Sequence, residues 1–557
     1  MKLKRVLAGA LAACTAFACA GCNGGTSSTA KPNNSTGSSK SQTNSAANSG
    51  ANSAANSGAN SEANSGGESN GWFDSSIKGL KVDESKIKEG MKLTVLSNRT
   101  DRVAGTGNGY FTDFVKPFEE HYGVTVEITA DSDQGAVKQR ITQNLKDCPD
   151  VMWIPSMSIE SVTEYFEPLG TVGELANYND ITNKALGDGD EAVVYGVPTG
   201  CNANGYVYNK KLWDAAGVTE APTNIDEFMA ALTKIKESNS DVTPILCAYT
   251  DIERWILAQY MNQAAGVVGD PDFKPKLLVS GGDLFVEGEP YYEMLHLMFK
   301  IFSTDDIHEA GASADWQKCK ALLANDKVAT CMVGSWAVSQ FKDGALQEVA
   351  DELGVKLDDF KKEDKYKDQL NEAMEPLSKI TLNPLPYVAP DGHRYSTVAS
   401  DNLWGINNTI DENQKELAKA FVKWWAEMSP YAKDEGFIPV LTTATIDDYP
   451  EALKSWSDIT FISTNQTPGA ISKTWDAVDK ASEILVEQNP GDANDYKCKV
   501  AELGLKHGSE DEFKALVKQL NTQWATARDA NEELKAFKET EEGKKYIDER
   551  FAKKANF

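Results

Sequence analysis

Between Lys92 and Ile154 short apolar strands alternate with amphipathic helices, and that order admits few folds. Lys92-Leu93-Thr94-Val95-Leu96 reads as a strand and runs into a polar loop from Ser97 to Gly109. Phe111, Phe114, Val115, Phe118 and Tyr122 then recur at helical spacing, and Val124-Thr125-Val126-Glu127-Ile128 alternates as a strand does. Val137, Ile141 and Leu145 fall at i, i+4 and i+8, one face of a helix. Asp150-Val151-Met152-Trp153-Ile154 closes the series as a buried strand. A β-α-β-α-β order predicts a mostly parallel sheet covered by helices. Such sheets bind ligands beyond the C-terminal ends of their strands, where strand order reverses.

The pattern continues downstream. Thr223 with Asp226 and Glu227 signals the start of a helix carrying Phe228, Leu232 and Ile235. Leu417 to Met428 reads as a helix, as does Glu512 to Glu533, which sets Phe513, Leu516, Val517, Leu520 and Trp524 on one face. Trp213 and the pair Trp424-Trp425 sit inside apolar patterns and read as core.

The N-terminal end is of another kind. Lys2, Lys4 and Arg5 precede an apolar stretch from Val6 to Ala18. A membrane-spanning helix needs roughly 20 apolar residues, so this stretch reads as an export signal. Ala20-Gly21 ahead of Cys22 resembles the lipobox of bacterial lipoproteins, with Cys19 where that motif usually has Leu. The resemblance implies a diacylated Cys22 as the new N-terminus; secretion with cleavage after an Ala is the alternative. Two acyl chains, such as palmitate, anchor stably where one is marginal. From Ala47 to Gly66 the units ANSG, ANSA, ANSG, ANSE and ANSG follow one another, without an aromatic or branched apolar residue. Such a segment cannot bury enough surface to offset its ordering entropy. As a coil it reaches on the order of 40 Å, a spacer between a lipid surface and a folded body. We assign 1–21 to the signal peptide and 22–71 to the linker.

Charge and motifs exclude several functions. The net charge of −27, more negative still without Lys2, Lys4 and Arg5, argues against nucleic acid as a partner. Cys148, Cys201, Cys247, Cys319, Cys331 and Cys498 permit disulfides outside the cell, but no CxxC or zinc spacing occurs among these six. Gly105-Thr106-Gly107-Asn108-Gly109 follows a strand yet lacks the spacing of a dinucleotide loop and any Lys-Ser or Lys-Thr. Asp131-Ser132-Asp133 and Asp188-Gly189-Asp190 lack the later ligands of a calcium loop, and read as a helix start and a surface turn. The five histidines are scattered, and no HExxH is present. No cofactor, metal or catalytic residue is assigned, and the chain reads as a binding protein rather than an enzyme.

A family resemblance emerges from an ordered set of motifs. Phe114 to Val126 (FVKPFEEHYGVTV), Pro149-Asp150-Val151 and Tyr195-Gly196-Val197-Pro198 come first. Tyr208 to Val218 (YNKKLWDAAGV) follows, then Pro222-Thr223, Asp326-Lys327-Val328-Ala329, Gly334-Ser335-Trp336, Leu382-Asn383-Pro384-Leu385-Pro386 and Trp404-Gly405-Ile406. From about Leu93 to Pro439 the chain resembles extracellular solute-binding proteins of the maltose-binding type. The resemblance implies an α/β fold: a two-lobed, periplasmic-binding-protein-like clamshell of type II. Each lobe would be a mostly parallel sheet flanked by helices, with a helical C-terminal region. Residues 72–203 and 388–436 would form lobe 1, and 204–387 and 437–557 lobe 2. The hinge would be crossed near Gly200–Tyr206, Pro384–Tyr387 and Gly436–Pro439.

The resemblance also implies a function. A monomer, anchored by lipid on the outer face of the cell membrane, would capture a solute and hand it to the permease subunits of an ABC transporter. A sugar site needs aromatic platforms for C–H faces, and polar side chains for hydroxyls. Candidate platforms are Trp336, after a Gly-Ser turn, with Trp153, Trp255 and Trp404. Candidate polar contacts are Arg99, Thr100 and Asp101 at the end of the first strand, Asn202 and Asn204 at the first crossing, Glu253, and Asp401. Several aromatics with carboxylates suggest an oligosaccharide. Presentation of sugar to a sensor or surface glycan-degrading assembly, a peptide receptor, and an exported glycan-active enzyme are the alternatives.

Overall fold

The computed structural model describes residues 72–104, 109–187, 189–247, 257–261, 264–270, 273–305, 316–389, 391–454, 456, 458–463 and 496–547. The first sheet holds Thr125–Ala130, Lys92–Ser97, Val151–Trp153, Leu403–Ile406 and Val197–Pro198, in that spatial order. Its first three strands are parallel, with Val95 opposite both Ile128 and Val151, as the alternating sequence predicts. Leu403–Ile406 enters antiparallel and sets Trp404 against Trp153.

Helices cover this sheet because their apolar positions recur on one side. The helix Gln134–Asn144 buries Val137 and Ile141, and Asp133 caps it by accepting a hydrogen bond from the Ala136 amide. The helix Glu412–Glu427 buries Leu417, Phe421, Trp424 and Trp425. Phe114, Phe118, Phe421, Trp424 and Trp425 meet as tilted or edge-on ring pairs. Each such side chain contributes ~1.5–3 kcal/mol by leaving water. The result is one core built from residues 80–197 and 403–440.

Two further cores form the second lobe. One gathers Trp213, Phe228, Leu232, Ile235 and the helix Pro290–Phe302 with Phe513, Leu520 and Trp524 of the helix Glu510–Ala530. The other holds Cys201, Val207, Phe341, Leu382, Val398 and Trp456. The helix Ile225–Ser238 is capped one residue later than its sequence signal: Asn224 accepts from the Glu227 amide, while Thr223 donates to the Glu227 carboxylate.

The fold is the expected two-lobed α/β clamshell, with one difference in detail. The sheets of the second lobe are mixed, not mostly parallel. Tyr206–Asn209 pairs antiparallel with both Thr330–Cys331 and Ile380–Asn383. Arg394–Ser400 runs antiparallel to Cys201–Ala203 and parallel to Ile459–Ser463. The antiparallel pairing at Cys201–Ala203 follows from the crossings: one strand leaves the first lobe and the other returns to it. Leu385 and Tyr387 are buried in the second lobe, and Arg394–Ser400 carries Val398 into its core. Arg394–Ser400 thus packs with Cys201–Ala203 in one core.

Among the six described cysteines Cys148 is half-buried and the other five are buried. Among the described residues no helix is long and apolar enough to cross a membrane. The spacer, Cys22, Trp255, Glu253, Asp188 and residues 105–108 lie outside the described residues.

Candidate functional site

The first strand ends at Ser97, and the turn after it places two arginines at the boundary between the lobes. Arg99 is 7 % exposed and Arg102 is 4 % exposed. Guanidinium groups this deep need partners on several sides, because an unpaired buried charge is costly. Arg99 donates from Nε and Nη2 to the Asp101 carboxylate at 2.8 and 2.9 Å, and from Nη2 to Glu435 Oε2 at 2.7 Å. Its Nη1 donates to the Tyr431 hydroxyl at 3.0 Å. Arg102 meets Glu435 through Nε at 2.8 Å and reaches Asp343 Oδ2 with Nη1 at 3.1 Å. Bidentate, charge-assisted bonds of this kind are the strong ones.

The electrostatics follow from that geometry. Burial alone would raise the Asp101 carboxyl, but the Arg99 and Arg102 guanidiniums hold it well below the usual carboxylate range. Burial raises the Tyr431 hydroxyl despite the neighbouring Arg99. Asp401 lies behind the same cluster; burial pushes its carboxyl up, against the Asn402 amide and Arg99, which pull it down. Asp401 Oδ1 accepts from Asn202 Nδ2 at 3.2 Å, and Asn402 Nδ2 donates to Oδ2 at 2.9 Å.

The structure thus brings Arg99, Asp101, Asn202 and Asp401 together at the lobe boundary. Thr100 is half-buried in the same turn. Asn202 sits on the first crossing strand, and its Oδ1 is buried without a hydrogen-bond partner. Asn204 is buried at 3 % exposure on the same crossing and bridges to Gly334. Trp336 follows that bridge, is half-buried, and packs against the cores of both lobes. Of the described candidate tryptophans it is the one that is half-buried and not buried.

Trp153 and Trp404 are placed differently. They are 2 % and 1 % exposed and face each other across neighbouring strands of the first sheet. Trp153 Nε1 donates to the Asp131 carbonyl at 3.0 Å, and Trp404 meets Trp425 edge-on at 5.1 Å. Both fill core volume between sheet and helix, so in this structure neither offers a ring face to a solute. Sequence reasoning also missed Tyr431, Glu435, Arg102 and Asp343. Arg102 stood three residues from Arg99 and could have been found; Glu435 is 336 residues from Arg99, with no local signal.

Gly436 explains how the third crossing fits this cluster. Its φ of 86° is the left-handed region that favours glycine, and a Cβ there would stand 2.6 Å from the Ser335 carbonyl oxygen. Only glycine lets the chain pass so close to the opposite lobe. Among the described residues no group of three His, Cys, Asp or Glu side chains is arranged to hold a metal ion.

Two packed lobes with a polar cluster and Trp336 at their boundary fit a two-lobed binding protein. The sequence profile of the bacterial extracellular solute-binding proteins matches residues 104–432, and the chain belongs to that family. The fold is similar to an ABC-transporter binding protein from Bifidobacterium animalis subsp. lactis solved with mannobiose. That likeness has a TM-score of 0.64 at 25 % identity, covering 79 % of this chain and 95 % of the other. The same protein with mannotriose gives a TM-score of 0.64 at 25 % identity, covering 81 % and 98 %. A maltose-bound protein from T. maritima shares the fold at 16 % identity and a TM-score of 0.50, covering 78 % and 100 %. No curated protein matches the chain.

Proposed function

We propose that this chain is a lipid-anchored solute receptor that captures an oligosaccharide of the manno-oligosaccharide class between its lobes. It delivers that sugar, as a monomer on the outer face of the membrane, to the permease of an ABC transporter. The observation that carries this reading is the likeness, over 79 % of this chain and 95 % of the other, to a binding protein solved with mannobiose. The lobe boundary supplies matching chemistry. Trp336 offers an aromatic face for sugar C–H groups, and Asn202 Oδ1 is an acceptor with a bond left to make. Arg99, Thr100, Asp101, Asn204 and Asp401 supply the surrounding polar groups. Asp101 stays ionised beside Arg99 and can accept from a hydroxyl, while Asp401 accepts from the Asn202 and Asn402 amides and adds a second carboxylate to the boundary. The receptor has no catalytic role in this reading.

Growth and uptake test it. A strain lacking the gene should lose accumulation of labelled mannotriose and regain it with the intact gene. Undiminished uptake in the deletion strain would remove the transport role.

Membrane attachment is tested separately. Cys22→Ser should leave sugar affinity unchanged while moving the protein from the membrane fraction to the medium, because both acyl chains depend on that thiol. Retention in the membrane fraction after the change would overturn the lipid anchor.

A further inference from the structure

The helix Ala337–Glu352 buries Ala337, Val338, Phe341, Ala345, Leu346 and Ala350 in the second lobe. Another of its faces meets the first lobe at regular intervals. The Ser335 carbonyl, just before the helix, backs onto Gly436. One turn on, Ser339 Oγ donates to the Glu435 carbonyl at 3.4 Å. One further turn on, Asp343 Oδ2 accepts from Arg102 at 3.1 Å. Positions 339 and 343 are four apart, so they share one face of the helix, and with Ser335 just before it they form a seam. The last contact is ionic and sheltered: the Arg102 side chain is 4 % exposed and that of Asp343 16 %. Within its own lobe Asp343 keeps a second partner, Lys361 Nζ, at 2.6 Å.

We infer that the Arg102–Asp343 pair is an ionic latch between the lobes that limits how far the receptor opens when no sugar is bound. Rotation about the three crossings must part this seam. Arg102 would keep Glu435, which travels with it, and Asp343 would keep Lys361, so the cross-lobe pair is the contact that opening breaks. A latch of this kind raises the fraction of empty protein already near the closed form. Apparent affinity rises with that fraction.

The test measures the distance between the lobes in the full chain without sugar. Labels on Leu353→Cys in the second lobe and Met428→Cys in the first use two exposed sites, 44 % and 42 % accessible. Cys148→Ser removes the one half-buried native thiol, the others described being buried. Asp343→Asn should lengthen and broaden the label-to-label distance distribution, whereas Lys361→Met, which leaves the cross-lobe pair intact, should not. Asp343→Ser provides the same test should the Asn variant fail to fold. An unchanged distribution in the Asp343 variants, or an equal change with Lys361→Met, would overturn the latch.

Discussion

Glu435→Ala is expected to destabilise the first lobe by ~3–5 kcal/mol, the usual consequence of removing one partner from a buried ion pair. Glu435 is 4 % exposed and holds both Arg99 and Arg102. Without its carboxylate, Arg99 retains Asp101 and Tyr431, and Arg102 retains Asp343, with a weaker approach to Asp101 at 3.2 Å. Two guanidiniums would then share one side of a low-dielectric site without the anion that separates them. Glu435→Gln should cost less, because the amide oxygen still accepts one bond. Urea unfolding followed by tryptophan fluorescence reads the effect, since Trp424 and Trp425 report on the first core. A loss below ~1 kcal/mol for Glu435→Ala, the size of a single ordinary hydrogen bond, would mean that the cluster contributes little to holding the lobe together.

Trp336→Ala is expected to weaken mannotriose binding by more than ~1 kcal/mol, the scale of a lost aromatic contact, and so several-fold in Kd. Trp336 is half-buried and touches the cores of both lobes, so its loss removes a platform and a contact that forms only when the lobes approach. The fold should survive, because the helix that Trp336 begins is seated by Ala337, Val338 and Phe341. Calorimetric titration with an unchanged circular dichroism spectrum separates the two effects. An affinity equal to that of the parent protein would take Trp336 out of the site.

Much of the architecture was legible because its signals are local. The strand Lys92–Ser97 and the helices Gln134–Asn144 and Glu412–Glu427 follow directly from apolar spacing. Arg99 and Asp101 were legible as polar residues at the strand end, and the structure pairs them with each other. What the sequence hid was long-range. Glu435 and Asp343 reach the two arginines only because the chain crosses between lobes, and no spacing announces that.

Trp153 and Trp404 show a second kind of limit. Strands covered on both faces carry apolar residues at every position, so alternation cannot say which face turns to the core. Both rings turned inward, one bonded to the Asp131 carbonyl and the other stacked edge-on against Trp425. The stretch expected to carry the second crossing shows a related limit. Pro384–Tyr387 has the composition of a turn, but burial of Leu385 and Tyr387 keeps it within the second lobe.

The central claim is that the chain binds an oligosaccharide between its lobes and leaves it intact. Titrating the purified chain by calorimetry against manno-, malto-, xylo- and cello-oligosaccharides, with peptides as controls, tests it most directly. The expected result is binding to manno-oligosaccharides at about −8 kcal/mol, micromolar in Kd, with mannotriose recovered whole. Binding to a peptide with silence across the sugars, or steady disappearance of the mannotriose, would contradict it.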